Sequence, residues 1–159
     1  MTVYNRTATG GGTIGHPSNA SVPYVITSPV WDTVDGGGVG GDIIQLIDLP
    51  ADTMIISGCL EVLEARGNGQ ITMDIGFTGG DVDALLDGSA CAAGFSPFLE
   101  AAVGASGANA RIVTAADTID ALILDGGSTG ETALRFRIHV VLADISRNPA
   151  ESATVSTGT

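Results

Sequence analysis

The 159-residue chain contains no lysine, and its six basic residues are all arginines. Eighteen acidic residues outnumber them and give a formal net charge of −12 at pH 7. A surface this negative repels the phosphate backbone of nucleic acids, because proteins neutralise phosphates with clusters of Lys and Arg. We therefore expect no nucleic-acid partner.

Cysteine and long apolar runs are also scarce. Cys59 and Cys91 could form at most one bridge, far below the density of a disulfide-stabilised scaffold, and we expect free, buried thiols. No stretch approaches the roughly 20 apolar residues of a membrane span. Residues 1–12 lack the basic and apolar regions of a secretory signal. These absences favour a protein made in the cytoplasm, with no membrane partner.

Aromatic residues make up only 4% of the chain, whereas 23 residues are glycine and 44% are hydrophobic. The core must therefore consist mainly of Ile, Val, Leu and Ala, a mixture that suits β-sheets. A chain of this length fits one domain, which can bury about 70% of the surface that its unfolded form exposes.

Alternating hydrophobicity predicts the strands. In residues 134–142, apolar side chains alternate with Arg135, Arg137 and His139, the period-two pattern of a half-buried strand. Residues 71–77 show the same alternation. Five less regular runs are bounded by turn residues and also predict strands; these are residues 22–27, 42–49, 54–64, 110–114 and 118–124.

Seven strands separated by glycine-rich turns predict an all-β fold, a single antiparallel β-sandwich of the jelly-roll type. The Gly-Asn-Gly sequence at residues 67–69 predicts a short hairpin between two of these strands. Residues 81–86 and 98–103 each fit one helical turn.

Polar arms flank the predicted strands, because residues 1–21 and 145–159 offer almost nothing to bury. Such a segment cannot offset its own ordering entropy unless a partner holds it. We therefore divide the chain into a polar N-terminal arm (1–21), a β-sandwich core (22–144) and a polar C-terminal tail (145–159). This layout favours a subunit of an assembly.

Two acidic patterns are candidates for calcium binding. Residues 37–45 match the nonapeptide G-G-x-G-x-D-x-U-x and make Asp42 a candidate ligand, but a single copy supplies only part of a site. Asp81, Asp83 and Asp87 offer carboxylate oxygens within seven residues, without the spacing of an EF-hand loop. A glycine-rich loop and a solvated acidic loop are the favoured interpretations, so we expect no metal and no cofactor.

The sequence contains no recognisable catalytic constellation. Nucleophilic catalysis needs a serine or cysteine beside an oriented histidine, and only His16 and His139 could serve as the base. Glu61 and Glu64 differ by an odd number of positions, so a regular strand points them to opposite faces. We therefore expect a protein that is not an enzyme.

Four arginines are candidates for contacts with other subunits. Arg135 and Arg137 share one face of a predicted strand, where they could pair with acids on a neighbouring strand. They could equally form a subunit contact, because arginine is enriched at interfaces. Arg6 and Arg147 lie in the polar arms and complete the set.

Two segments resemble a recurring group of tailed-bacteriophage virion proteins. Residues 46–53 (LIDLPADT) are similar to their strand-Leu-Pro-Ala-turn element, and residues 115–120 (AADTID) to the step before their penultimate strand. Residues 134–142 resemble their closing strand, so the resemblance spans roughly residues 42–144. The family is that of small capsid decoration or cement proteins.

The resemblance implies a non-enzymatic, often trimeric subunit that binds the major capsid protein and reinforces the shell at the virion surface. A negative surface also suits the outside of a DNA-filled shell better than its inside. Two alternatives stay open. They are a tail- or fibre-associated virion component and a carbohydrate- or calcium-binding β-sandwich module.

Overall fold

The computed structural model describes residues 3–5, 23–32, 39–65, 71–78, 80–98, 111–125 and 134–145. These residues form eleven strands and no helix, so none of their segments is a helix long and apolar enough to cross a membrane. The strands are β1 (Val3–Asn5), β2 (Tyr24–Thr27), β3 (Trp31–Asp32), β4 (Ile43–Leu49), β5 (Thr53–Glu64), β6 (Thr72–Phe77), β7 (Leu86–Ala90), β8 (Gly94–Pro97), β9 (Arg111–Val113), β10 (Asp117–Asp125) and β11 (Arg135–Asp144).

The strand with the clearest alternation, β11, lies at the centre of a six-stranded sheet, called sheet B. It pairs with β5 on one side and with β2 and β3 on the other, and β8 and β9 extend β5. Every second side chain of β11 is fully buried, as the alternation predicts, and these residues are Phe136, Ile138, Val140 and Leu142.

The second sheet, sheet A, has five strands in the order β1-β4-β10-β6-β7. Its pairs are antiparallel except at one edge, where Val3–Asn5 runs parallel to residues 43–45 of β4. The parallel pair lies inside the segment predicted as the N-terminal arm. The other residues of the two predicted arms lie outside the described residues, apart from Ile145.

Both sheets contribute to one hydrophobic core. The described strands change sheet seven times, between β1 and β2, β3 and β4, β4 and β5, β5 and β6, β7 and β8, β9 and β10, and β10 and β11, as in Greek-key and jelly-roll sandwiches. The predicted antiparallel β-sandwich is therefore confirmed. The largest fully buried side chains are Trp31, Phe136, Ile44, Leu46, Leu49, Ile55, Leu60, Ile71, Met73, Ile75, Leu85 and Ile119.

Close packing at two glycines fixes local details of the sandwich. A Cβ on Gly58 would lie 2.3 Å from Cε2 of Phe98, so the missing side chain makes room for that ring in the core. A Cβ on Gly76 would lie 2.3 Å from the carbonyl oxygen of Asp81. The loop of residues 80–85 therefore packs directly on β6.

All seven predicted strands are present, and four short ones, β1, β3, β7 and β8, were not predicted. The predicted hairpin is wrong, because β5 and β6 on either side of residues 67–69 belong to different sheets. The predicted helical turn at 81–86 is a reverse turn in which Ala84 N–H donates to Asp81 C=O (3.3 Å) before β7 begins at Leu86. Most of the predicted turn at 98–103 lies outside the described residues.

Candidate functional site

A hydrogen-bonded group on the outer face of sheet B, here called the His139 cluster, consists of Thr27, Glu61, Phe95, Arg137 and His139. Nε of Arg137 donates to Oε2 of Glu61 at 2.5 Å, and Nε2 of His139 lies 2.8 Å from the same oxygen. The strand register explains the contact, because Arg137 lies directly opposite Glu61 in the β5–β11 pair. The cluster thus depends on residues more than 70 positions apart in sequence.

The second ring nitrogen of His139 also has a partner. Its Nδ1 lies 2.9 Å from Oγ1 of Thr27, the residue opposite it on β2. The centroid of the Phe95 ring lies 6.4 Å from the centroid of the imidazole. Phe95 itself is 67% exposed. Contacts from three strands therefore hold the imidazole in place, beside an aromatic ring that faces solvent.

The neighbours of Glu61 stabilise its negative charge. The pKa of Glu61 is lowered, first by the hydrogen bond from Arg137 and then by that from His139, against a smaller opposing effect of burial. Glu61 is therefore ionised at neutral pH and acts as a hydrogen-bond acceptor. The pKa of the neighbouring Cys59 thiol is raised by burial and by the negative charge of Glu61.

Thr27, His139 and Glu61 supply a hydroxyl, an imidazole and a carboxylate in the order of a Ser-His-Asp triad. Acyl transfer also requires N–H donors directed at the developing oxyanion. Strand β11 is paired on both sides, so its backbone N–H groups already donate within the sheet. The guanidinium of Arg137 already binds the carboxylate of Glu61. The arrangement suits a rigid surface patch better than nucleophilic catalysis.

The structure pairs both described candidate arginines with acids on neighbouring strands. Arg137 binds Glu61, and Nε of Arg135 lies 3.5 Å from Oδ2 of Asp32, with both of those side chains partly exposed. This arrangement is one of the two interpretations that the sequence left open, and a role in subunit contacts stays a prediction. Arg6 and Arg147 lie outside the described residues.

The expectation that Glu61 and Glu64 point to opposite faces is wrong. The register places Glu61 opposite Arg137 and Glu64 opposite Arg135, and these two arginines lie on the same face. A β-bulge between the pairs at Arg135 and Phe136 inserts Leu63, and the extra residue reverses the alternation.

A second group of acids occupies the outer face of sheet A and the loop beside it. Oδ1 of Asp74 accepts a hydrogen bond from Gly88 N at 2.7 Å. Burial nevertheless raises the pKa of Asp74, and the charges of Asp87 and Asp83 add to this rise. The pKa of Asp81 is raised mainly by a side-chain hydrogen bond with Asp83, and Arg111 opposes the rise.

Three of the four calcium candidates thus lie near one another, while Asp42 serves a different purpose. It is buried, its Oδ2 accepts a hydrogen bond from Val39 N at 3.2 Å, and its carbonyl accepts from Ile123 N at 2.9 Å. Gly41, with φ at 91°, donates to Ile123 in turn. The glycine-rich segment therefore anchors a loop to β10.

Within the described ranges, no group of three or more His, Cys, Asp or Glu side chains is arranged to hold a metal ion. Both cysteines are free, as expected; Cys91 is buried, and Cys59 is only partly so. Burial raises the pKa of the Cys91 thiol to about 12.

One acidic residue that the sequence did not single out is Asp120 on β10. It is 4% exposed, and burial raises its pKa to about 6, although the Thr118 hydroxyl opposes the rise. Its neighbours Ile119 and Ala121 point into the core, so Asp120 lies on the outer face of its strand. Nothing in the sequence indicates that other residues cover it there.

The chain is similar in structure to chains from bacteriophage capsids. It superposes on a chain from the capsid of Ralstonia phage GP4 with a TM-score of 0.69 and 18% sequence identity, covering 92% of this chain and 100% of that one. A chain from the Cyanophage Pam1 capsid asymmetric unit gives a TM-score of 0.58 at 16% identity, covering 86% and 97%.

A third match comes from the acidic stable capsid structure of Helicobacter pylori bacteriophage KHP30, with a TM-score of 0.56 at 12% identity, covering 79% of this chain and 90% of that one. No protein-family model and no curated protein sequence matches the chain. At these identities the matches establish a shared β-sandwich fold.

Proposed function

We propose that this chain is a non-enzymatic structural protein of a phage virion, which binds the outer face of the capsid as a decoration or cement subunit and stabilises the shell. The observation that carries the proposal is the match to a chain of the Ralstonia phage GP4 capsid, which covers 92% of this chain and the whole of that one. The match therefore extends over both sheets of the sandwich.

The charge of the chain supports a place on the outside of the shell. A net charge of −12 without any lysine disfavours contact with packaged DNA. Both described arginines of β11 are already paired with acids, so they offer little free positive charge to a phosphate backbone.

The partner in this proposal is the major capsid protein, and the subunits form a homo-oligomer, with a trimer favoured. The His139 cluster is the favoured contact surface on the sandwich. Its exposed Phe95 lies beside a rigid imidazole and a bound arginine, and aromatic residues and arginine are enriched at interfaces. The arms, residues 1–21 and 145–159, act as tethers to neighbouring subunits.

Mass spectrometry of purified parent particles tests the proposal. We expect the chain in many copies per particle, and antibodies should label it on intact virions. Its absence from particles would refute the proposal, whereas only a few copies would favour a tail- or fibre-associated component.

The contact surface has a separate test on shells that lack the chain. We expect Phe95→Ser to weaken binding of the purified protein to such shells at least tenfold, without a change in its thermal unfolding. The matched control is Leu124→Ser, which replaces an exposed apolar residue of sheet A, 44% exposed, on the opposite side of the sandwich. Equal binding by both variants would exclude the His139 cluster as the contact.

A further inference from the structure

Asp120 is a buried carboxyl group, only 4% exposed, and neither Oδ1 nor Oδ2 forms a hydrogen bond with the part of the chain that the structure describes. The Thr118 hydroxyl lowers the pKa of Asp120 somewhat, but its own hydrogen bonds go to Thr78 at 3.0 Å and Gln45 at 3.4 Å. Burying an unpaired carboxylate is costly, because the group loses its hydration and gains nothing in return. Such a side chain is easier to accommodate in its neutral form.

The position of Asp120 in sheet A explains its burial. Strand β10 lies between β4 and β6, and Asp120 is opposite Gln45 on one side and Gly76 on the other. The backbone of the 80–85 loop packs on Gly76, where a Cβ would lie 2.3 Å from atoms of Asp81 and Val82. The loop is fixed at both ends, since Phe77 N–H donates to Asp81 C=O at 3.0 Å and Leu85 N–H to Ile75 C=O at 2.8 Å.

The charged residues on the elements packed around Asp120 are acidic. Asp117 lies on the same strand and raises the pKa of Asp120 further, and Asp48 on β4 is opposite Thr118. Asp74 on β6 is opposite Leu122, and Asp81 and Asp83 lie in the loop. The positive charge of Arg111 lowers the pKa of Asp81 but is not among the groups that shift the pKa of Asp120.

We propose that the outer face of sheet A is an acid-strengthened layer, in which protonation of Asp120 beneath the 80–85 loop stabilises the sandwich as the pH falls. A neutral carboxyl group removes the unpaired charge and provides an O–H donor. The repulsion from the surrounding acids falls at the same time. The device is independent of the proposed place in a capsid, because it lies within one chain.

The direction of the pH dependence follows from the pKa of Asp120 in the folded chain and in the unfolded chain. The pKa of Asp120 rises from 3.8 to about 6 on folding, so between these values the folded chain binds the proton more tightly than the unfolded one. The stabilisation is complete below pH 4 and is lost as the pH rises through about 6. The folding equilibrium constant changes by on the order of 100-fold across this window, relative to a chain without the group.

Urea unfolding of the full chain between pH 4 and pH 8 tests the proposal, with Asp120→Asn as the variant that is neutral throughout. We expect Asp120→Asn to be more stable than the wild type at pH 8, by up to about 100-fold in the folding equilibrium constant. This advantage should vanish below pH 4. The control Glu64→Gln, which neutralises an exposed acid on β5 of the opposite sheet, should leave the pH profile of the wild type unchanged.

Parallel pH profiles for the wild type and Asp120→Asn would overturn the proposal. If the variant does not fold, the side-chain carboxyl carbon of Asp120 can be titrated in the wild type by NMR. A midpoint near pH 6 supports the proposal, and a midpoint at or below pH 4 refutes it.

Discussion

The two outer faces of the sandwich place carboxyl groups in opposite electrostatic environments. On sheet B, Glu61 receives hydrogen bonds from Arg137 and His139, and its pKa is lowered. On sheet A, Asp74 and Asp120 are buried among other acids, and their pKa values are raised. A cationic partner on the adjacent strand thus decides whether an acid on a sheet face favours the charged or the neutral state.

The two faces should respond to pH in opposite directions. The contribution of Glu61 to stability is present above the usual pKa of glutamate, about 4.3, and is lost as the pH falls through its lowered value. The contribution of Asp120 is gained over a higher window, as the pH falls through about 6. The faces can therefore be separated experimentally.

The largest effect is expected where the loop packs on sheet A. In Gly76→Ala the new Cβ would overlap the backbone of Asp81 and Val82, which has no rotamer through which to move aside. We expect a loss of about 3 kcal/mol in the free energy of unfolding, measured with urea at pH 7.

The matched control for this change is Gly80→Ala in the same loop. Among the described residues other than its chain neighbours, the Cβ of Phe77 is the first atom that a Cβ at Gly80 would meet, at 3.9 Å, so we expect little change. A similar loss for both variants would show that the loop does not pack on Gly76 as described.

A smaller loss of stability is expected when Arg137, the cation that binds Glu61 on sheet B, is replaced. Arg137→Met keeps most of the apolar stem but takes away the main cause of the lowered pKa of Glu61. We expect the pKa of Glu61 to rise towards its usual value and stability at pH 7 to fall, because the charge-assisted hydrogen bond from Arg137 is lost. NMR titration of the Glu61 carboxyl measures the first effect and urea unfolding the second.

Arg135→Met provides the control on the same strand face. Its ion pair with Asp32 is longer, at 3.5 Å, and half exposed on the arginine side, so its loss should change stability by less than about 0.5 kcal/mol. The pKa of Glu61 should stay low in this variant. A shift of equal size in both variants would contradict a specific contact with Arg137.

The smallest effect is expected at the edge of sheet B. Thr27→Val removes the hydroxyl that lies 2.9 Å from Nδ1 of His139, while the β-branched shape is retained. We expect a loss of no more than about 0.5 kcal/mol and a change in the ring-nitrogen chemical shifts of His139. Unchanged nitrogen shifts would argue against the hydrogen bond.

The strands with regular alternation could be predicted from the sequence, and the unpredicted ones are short. Strands β7 (Leu86–Ala90) and β8 (Gly94–Pro97) consist largely of small or turn-forming residues at sheet edges, where alternation carries no signal. Periodicity predicts which face a side chain takes along one strand. It does not predict which strands become neighbours.

Both candidate sites depend on such non-local pairing. His139 was predicted to lie on the outer face of its strand, but its contact with Glu61 requires the register between β5 and β11. The bulge at Leu63 cannot be predicted from a strict period of two either. The burial of Asp120 depends on the 80–85 loop, whose position on Gly76 is a packing result that no local pattern contains.

The parallel pairing of Val3–Asn5 with β4 makes the two ends of the chain unequal as attachment points for foreign peptides. A fusion that replaces the first five residues removes an edge strand and uncovers β4, and open strand edges promote aggregation. A cargo attached behind the C-terminal tail keeps the proposed tether and leaves the eleven strands of the described residues in place, since the last of them ends at Asp144 and Ile145 N–H is held by Asp52 C=O at 2.9 Å. Display libraries built on this scaffold should therefore carry their inserts at the C-terminal end.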